Sequence, residues 1–199
     1  MRTITDIATL EALYDSVNPL AVTKVSAVMT PLYRQWIDAA RFVVLTTVGP
    51  EGTDASPRGD AGPVVRIVDD RTIWLPDWRG NNRLDSLRNI VRDGRVSLMF
   101  MVTGENNVVR VNGNAVLCDD PAITAQFIQG GRQPRTVIVI RSGEVYFQCA
   151  KALMRSGLWS RDAVQGLPTA GRFLKEAGQG FDADTYDAGY EAYSRDRMW

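Results

Sequence analysis

Leu75-Pro76-Asp77-Trp78-Arg79-Gly80-Asn81-Asn82-Arg83-Leu84 is where a β-rich run gives way to a helix, across a glycine, two asparagines and flanking arginines. A helix N-terminus offers unpaired backbone N–H groups and a partial positive charge, an asparagine cap closes its first turn, and arginines add formal charge. Together these are the parts of a phosphate cradle. The plainer alternative is an Asn-capped amphipathic helix with solvated arginines, and one short motif does not separate the two.

On either side of this stretch the chain reads as short strands. Residues 41–48, 53–57, 64–68 and 72–75 precede it, and 95–102, 108–117 and 135–141 follow. All are rich in Val, Ile, Thr and aromatics and are separated by turn residues. Asp69-Asp70 predicts a tight hairpin turn and residues 104–107 a longer one. Val137-Ile138-Val139-Ile140 is too continuous to be half exposed, so it predicts a buried central or barrel strand. The helix over 82–92 is expected to bury Leu84, Leu87 and Val91.

Helices flank the strands. Residues 6–17 carry Ile7, Leu10, Leu13, Tyr14 and Val17 at helical spacing, and 31–40 begin with a first-turn proline and place Leu32, Trp36 and Ile37 on one side. Asp119-Asp120-Pro121 caps a short helix with Ile123, Phe127 and Ile128 inward. Beyond Cys149 helical stretches dominate, broken at Gly178-Gln179-Gly180, and 182–199 reads as a polar helix. Periodicity thus yields antiparallel β with several helices.

Composition narrows the chemistry. At 199 residues and 45% hydrophobic the chain suits one domain, 1–199, with N-terminal helices over about 5–40 and a helical extension over about 149–199. Lys+Arg and Asp+Glu both number 23, so no net basic field favours nucleic acid, and Trp36, Trp74 and Trp78 read as packing residues. No apolar run approaches the ~18 residues of a membrane span, and the N-terminus lacks a signal-like apolar core. A cytoplasmic protein is expected. The absence of histidine removes the usual base of Ser-His and Cys-His nucleophiles and the commonest zinc ligand. Cys118 and Cys149 are too few for a thiolate metal site and are not spaced as a redox pair, so no metal is expected. Difficult chemistry would therefore come from an organic cofactor.

Two further stretches accompany the first: Ala55-Ser56-Pro57-Arg58-Gly59-Asp60 and Val109-Arg110-Val111-Asn112-Gly113-Asn114-Ala115. With these and Cys149-Ala150-Lys151-Ala152-Leu153-Met154-Arg155-Ser156-Gly157-Leu158-Trp159, the chain resembles the pyridoxamine-5'-phosphate-oxidase-like flavoproteins from about Leu10 to Trp159. The pattern is "SPRGD … LPD..GNNR.DSL.NI … LRVNG.A … CAKAL.RS.LW". Four motifs in order are far more specific than any one. The resemblance implies a mainly β fold with flanking helices (α+β), a six-stranded antiparallel split β-barrel of the FMN-binding type. It further implies a homodimer with FMN in clefts at the subunit interface and a small-molecule substrate or electron donor.

It also implies the site residues. FMN needs cations for its phosphate, donors for its ribityl chain and an apolar wall for its ring. Ser56, Arg58, Gly59 and Asp60 fall where such proteins place an arginine near the ribityl-phosphate; alternatively, Arg58 pairs with Asp60 in a solvated turn. Asn81, Asn82 and Arg83 stand where better-known oxidases carry Ser-Arg-Lys, so phosphate charge falls to Arg79 and Arg83, to Arg58, or to helix N–H groups. Pro76 and Asp77 are expected at the pyrimidine side of the ring, or simply end a strand. Arg110 is a flavin or dimer contact or a solvated charge. Lys151, Arg155 and Trp159, at i, i+4 and i+8, form one stripe if the helix continues through Gly157, and are expected near the partner's flavin.

The chain then reads as an FMN-dependent oxidoreductase. The alternatives are a non-catalytic flavin or nucleotide-phosphate binding or sensor protein, and a member that has exchanged flavin for another phosphate ligand. Pyridoxine-phosphate oxidation itself is not expected, because the Arg-Leu-Ala-Pro-like ending of true oxidases is missing from Ser194-Arg195-Asp196-Arg197-Met198-Trp199.

Overall fold

The computed structural model describes residues 1–178 and 180–199. Three short helices lead in: α1 (Ile7–Glu11), α2 (Pro19–Thr23) and α3 (Pro31–Ala39), each capped by a side chain of the preceding residue. Strands β1 (Phe42–Gly49), β2 (Gly52–Gly59), β3 (Arg66–Ile67) and β4 (Thr72–Asp77) follow. Helix α4 (Asp85–Arg92) leads to β5 (Arg95–Met101) and β6 (Val108–Cys118). Helix α5 (Pro121–Thr124) precedes β7 (Thr136–Gln148), and α6 (Lys151–Ser156), α7 (Ala170–Ala177) and α8 (Ala183–Arg195) follow.

The strands form one antiparallel sheet in the order β2-β1-β5-β6-β7-β4-β3. Alternate residues face inward, and register aligns them: Val43 opposite Phe100, Leu45 opposite Leu98, Val111 opposite Val145, Ile140 opposite both Ile73 and Ala115. All are buried, and each large side chain contributes about 1.5–3 kcal/mol of burial. Arg58 of β2 reaches Asp77 of β4 at 2.5 Å, although four strands lie between them in the sheet order. The sheet therefore curls until its two ends meet, which makes it a split barrel.

The sheet has seven strands, as many as the stretches read from the sequence and one more than the six-stranded barrel the resemblance implies; the stretch at 64–68 shrinks to the two-residue β3, paired with β4 around the Asp69-Asp70 turn. The last strand runs to Gln148 rather than stopping at Arg141. It crosses a register shift at Asn112/Gly113, where a Cβ on Gly113 would collide with the Arg141 carbonyl oxygen. Only glycine lets the two chains approach this closely.

Several helices differ from their periodicity. α1 ends at Glu11, and Ile7, Leu13, Tyr14 and Val17 are exposed. α3 buries Ile37 but leaves Leu32 in solvent, and α5 ends at Thr124, which is buried where Ile128 was expected. α4 starts at Asp85, not Asn82, and buries Ser86, Asn89 and Ile90 while Leu84 and Val91 are exposed. Its polar residues are buried because they have partners: Ser86 donates to the Asp54 carboxylate (2.5 Å), and Asn89 Nδ2 to Thr47 Oγ1 (3.1 Å). The tail 182–199 forms α8, tied to the start of α7 by Asp187, which accepts from Thr169 Oγ1 and the Gly171 amide. The break expected at Gly178-Gln179-Gly180 involves Gln179, outside the described residues. Among the described residues no helix is long and apolar enough to cross a membrane.

Candidate functional site

Where the ends of the curled sheet meet, β2, the end of β4, the 78–84 loop and the first turn of α4 wall a groove of about 1340 Å³. Residues 132–136 and Met198-Trp199 line the rest of it. Residues 54–59 of β2 all line the groove, with Asp54, Ser56 and Arg58 on the less exposed face and Ala55, Pro57 and Gly59 on the more exposed one. Pro76 and Asp77 arrive from β4 because Pro76 pairs with Val137 and Asp77 with Thr136 of β7.

Arg58 pairs with Asp77, not with Asp60, and both side chains are mostly buried, 20% and 17% exposed. Its Nε is buried without a partner, as is Thr136 Oγ1 on the same groove. Unpartnered buried polar atoms are uncommon in folded proteins, and among the described residues two of the four, Arg58 Nε and Thr136 Oγ1, belong to residues that line this groove. Asp60 lies just outside the lining and accepts from Trp78 Nε1 (2.9 Å) and Gln129 Nε2 (3.2 Å), which fixes the indole beside the groove.

The 78–84 loop replaces the expected Asn cap with a strained turn. Asn81 Oδ1 accepts from the Arg83 amide (3.0 Å), and Asn82 and Leu84 both adopt left-handed backbone, φ 61° and 63°. Asparagine tolerates that region; leucine does so at a cost of about 1–2 kcal/mol. Leu84 becomes the α4 N-cap and makes no side-chain capping bond among the described residues, so the first-turn amides of α4, whose residues line the groove, have no side-chain cap. Arg83 pairs with Asp85 at 2.9 Å in solvent. Arg79 and Arg135, also on the groove, make no ion pair among the described residues.

Ser56, Arg58, Gly59, Pro76, Asp77, Arg79, Asn81, Asn82 and Arg83 are thus brought together as the sequence motifs suggest. Arg110, Lys151, Arg155 and Trp159 lie away from the groove of their own chain. Arg110 sits over the Tyr146 ring, 5.4 Å from its centroid, across the β6/β7 pair. The predicted stripe fails at Gly157, which ends α6 in left-handed conformation (φ 60°), and Trp159 Nε1 instead donates to the Glu105 carbonyl at 2.8 Å. Sequence reading missed Thr136, Arg132, Arg135 and Trp199. The available signal was Arg132-Gln133-Pro134-Arg135, a proline turn flanked by arginines directly ahead of the apolar run Val137-Ile138-Val139-Ile140.

Among the described residues no cluster of three or more His, Cys, Asp or Glu could hold a metal ion. No curated protein matches the chain. Among solved structures, a variant of HupZ from Group A Streptococcus is similar at TM-score 0.50 and 17% identity, covering 60% of this chain and 99% of that one. General Stress Protein 26 from Bacillus anthracis gives TM-score 0.42 and 15% identity over 57% of this chain and 88% of that one. An FMN-binding protein from Syntrophomonas wolfei gives 0.44 and 13% over 65% and 91%. The family profile described as Pyridoxamine 5'-phosphate oxidase matches residues 29–149, from the residue before α3's cap to just past β7. That match spans more than half of the sequence and contains β2, the 78–84 loop and Thr136, so the chain belongs to the pyridoxamine 5'-phosphate oxidase family.

Proposed function

We propose that the protein binds FMN in this groove and works as an FMN-dependent oxidoreductase on a small molecule. The observation that carries the reading is the pair of orphaned buried donors, Arg58 Nε and Thr136 Oγ1, on a groove that also holds Arg79, Arg135 and the uncapped first turn of α4. Family membership supports it. The phosphate would be met by Arg58, Arg79, Arg83 and the α4 first turn, and the ribityl hydroxyls by Ser56 and Thr136. Val64, Leu75 and Pro76 supply an apolar wall. Asp77 holds the Arg58 guanidinium in place, so less conformational freedom is lost when a ligand binds.

Bound flavin would supply hydride or electron transfer. The chain's own contribution is binding, orientation and partial exclusion of water. Arg110, Lys151, Arg155 and Trp159 enter this reading through a symmetric homodimer, in which they would approach the partner's groove; closed two-fold dimers are the commonest soluble assembly.

One observation favours the second reading, a flavin carrier without turnover. The carboxylates on the groove are already engaged, Asp54 with Ser86, Asp77 with Arg58 and Asp85 with Arg83, and there is no imidazole to act as acid or base. Titrating FMN into the purified protein and then adding NADH or NADPH without oxygen tests both. Quenched flavin fluorescence followed by bleaching is the result expected of the oxidoreductase. Binding without bleaching favours the carrier, and absence of binding contradicts both.

A further inference from the structure

We infer that residues 196–199 are an internal plug of the groove, which an anionic ligand displaces by taking Arg132 from them. The Arg132 guanidinium, itself a groove residue, donates through Nη1 to the backbone oxygens of Asp196 (3.1 Å) and Trp199 (3.2 Å). The Trp199 indole packs edge-on against Trp78, with ring centroids 5.3 Å apart and planes at 75°. Trp78 is in turn anchored by Asp60, which also accepts from Gln129 on the segment that carries Arg132. The segment is thus held beside the groove, with Met198 and Trp199 in its lining, through two contacts, one polar and one aromatic.

Neither contact is strong. The polar one is an exposed contact of one guanidinium nitrogen with the Asp196 and Trp199 oxygens, and exposed contacts of this kind contribute about 0–1 kcal/mol even when both partners are charged. The aromatic one is a single edge contact between two indoles that both line the groove, worth about 0.5–1.5 kcal/mol beyond its buried area, and a ring bound there would compete for the same surface. A ligand whose anion reaches Arg132, or whose ring reaches Trp78, competes with one of the two contacts, and either is enough to loosen the segment. A plug lowers apparent affinity by the fraction of molecules in which the groove is open.

The inference rests on the flavin reading above, and the test separates the two. FMN binding is measured by stopped-flow fluorescence in the native protein, in Trp199→Ala and in a variant lacking residues 197–199. Amide exchange across 190–199 is followed in the native protein with and without FMN. A plug predicts FMN affinity about three- to tenfold higher in both variants, with faster association, because losing a hydrogen bond and a ring contact raises the open fraction by that order. It also predicts faster exchange at 190–199 when FMN binds. Weaker or unchanged affinity in both variants, or slower exchange on binding, would make the segment a wall of the site and overturn the inference while leaving the flavin reading intact. If neither the native protein nor the variants bind FMN, both fall.

Discussion

At the scale of single residues, Arg58 and Asp77 form the least exposed ion pair among the described residues, and it lies on the groove. Each is mostly buried, so each charge depends on the other, and removing one strands its partner. Arg58→Ala should weaken FMN binding by about 1.5–3 kcal/mol, the scale of a lost charge-assisted hydrogen bond. Arg83→Ala should cost less, about 0.5–1 kcal/mol, because the Arg83 side chain is 75% exposed and already paired with Asp85. Fluorescence titration measures both, and equal dissociation constants for the native protein and Arg58→Ala would remove Arg58 from the site. Leu84 permits a separate prediction. Its left-handed backbone favours asparagine over leucine, so Leu84→Asn should raise stability by about 1 kcal/mol, read from denaturant midpoints. A destabilised variant would show that the turn is not strained by leucine. The motifs Ser56-Pro57-Arg58 and Asn81-Asn82-Arg83 were singled out through the family resemblance, and both line the groove. That Arg58 pairs with Asp77 was not legible, since the pairing depends on the curl of the sheet and not on any spacing in the sequence.

At the scale of elements, the strands were legible and the helix faces were not. Val, Ile and Leu alternate through β1, β5 and β4 because one side of each packs inward, and that period is visible in the chain. α4 is misread by the same logic, because Ser86 and Asn89 face inward by hydrogen-bonding to Asp54 and Thr47, and hydrophobic periodicity counts such residues as solvent-facing. The β6/β7 register depends on Gly113: Gly113→Ala would press a methyl group into the Arg141 carbonyl and should destabilise by about 1–3 kcal/mol, the usual range for overpacking. An unchanged melting temperature would contradict the register shift. The β3/β4 turn adds a pH dependence. Asp69 accepts from the Arg71 and Thr72 amides, and the Arg71 backbone bond is the first cause holding its carboxyl below the usual range. A depressed carboxylate contributes stability above its unfolded pKa of about 3.9 and loses it as pH falls through the lower folded value. Asp69→Asn should therefore flatten the acid limb of a stability-against-pH curve below about pH 4, where the native protein keeps losing stability.

The whole molecule places the site by closing a sheet on itself. Motifs far apart in the sequence converge only because β2 and β4 meet, and Trp199 reaches the same groove without any local signal. Arg110, Lys151, Arg155 and Trp159 do not converge on it within one chain, so they are predicted to act from a second copy. Light scattering should report a dimer whose dissociation releases flavin, and a monomer that retains FMN would contradict the shared site. The central claim is that the groove at the sheet's meeting ends recognises the phosphate of a flavin, and the most direct test is the ratio of FMN to riboflavin affinity by fluorescence quenching. Riboflavin lacks only the phosphate. FMN should bind at least about tenfold tighter, with the gap narrowing in Arg58→Ala, because one charge-assisted contact alone is worth that factor. Equal affinity for the two flavins, or a gap untouched by Arg58→Ala, would contradict it.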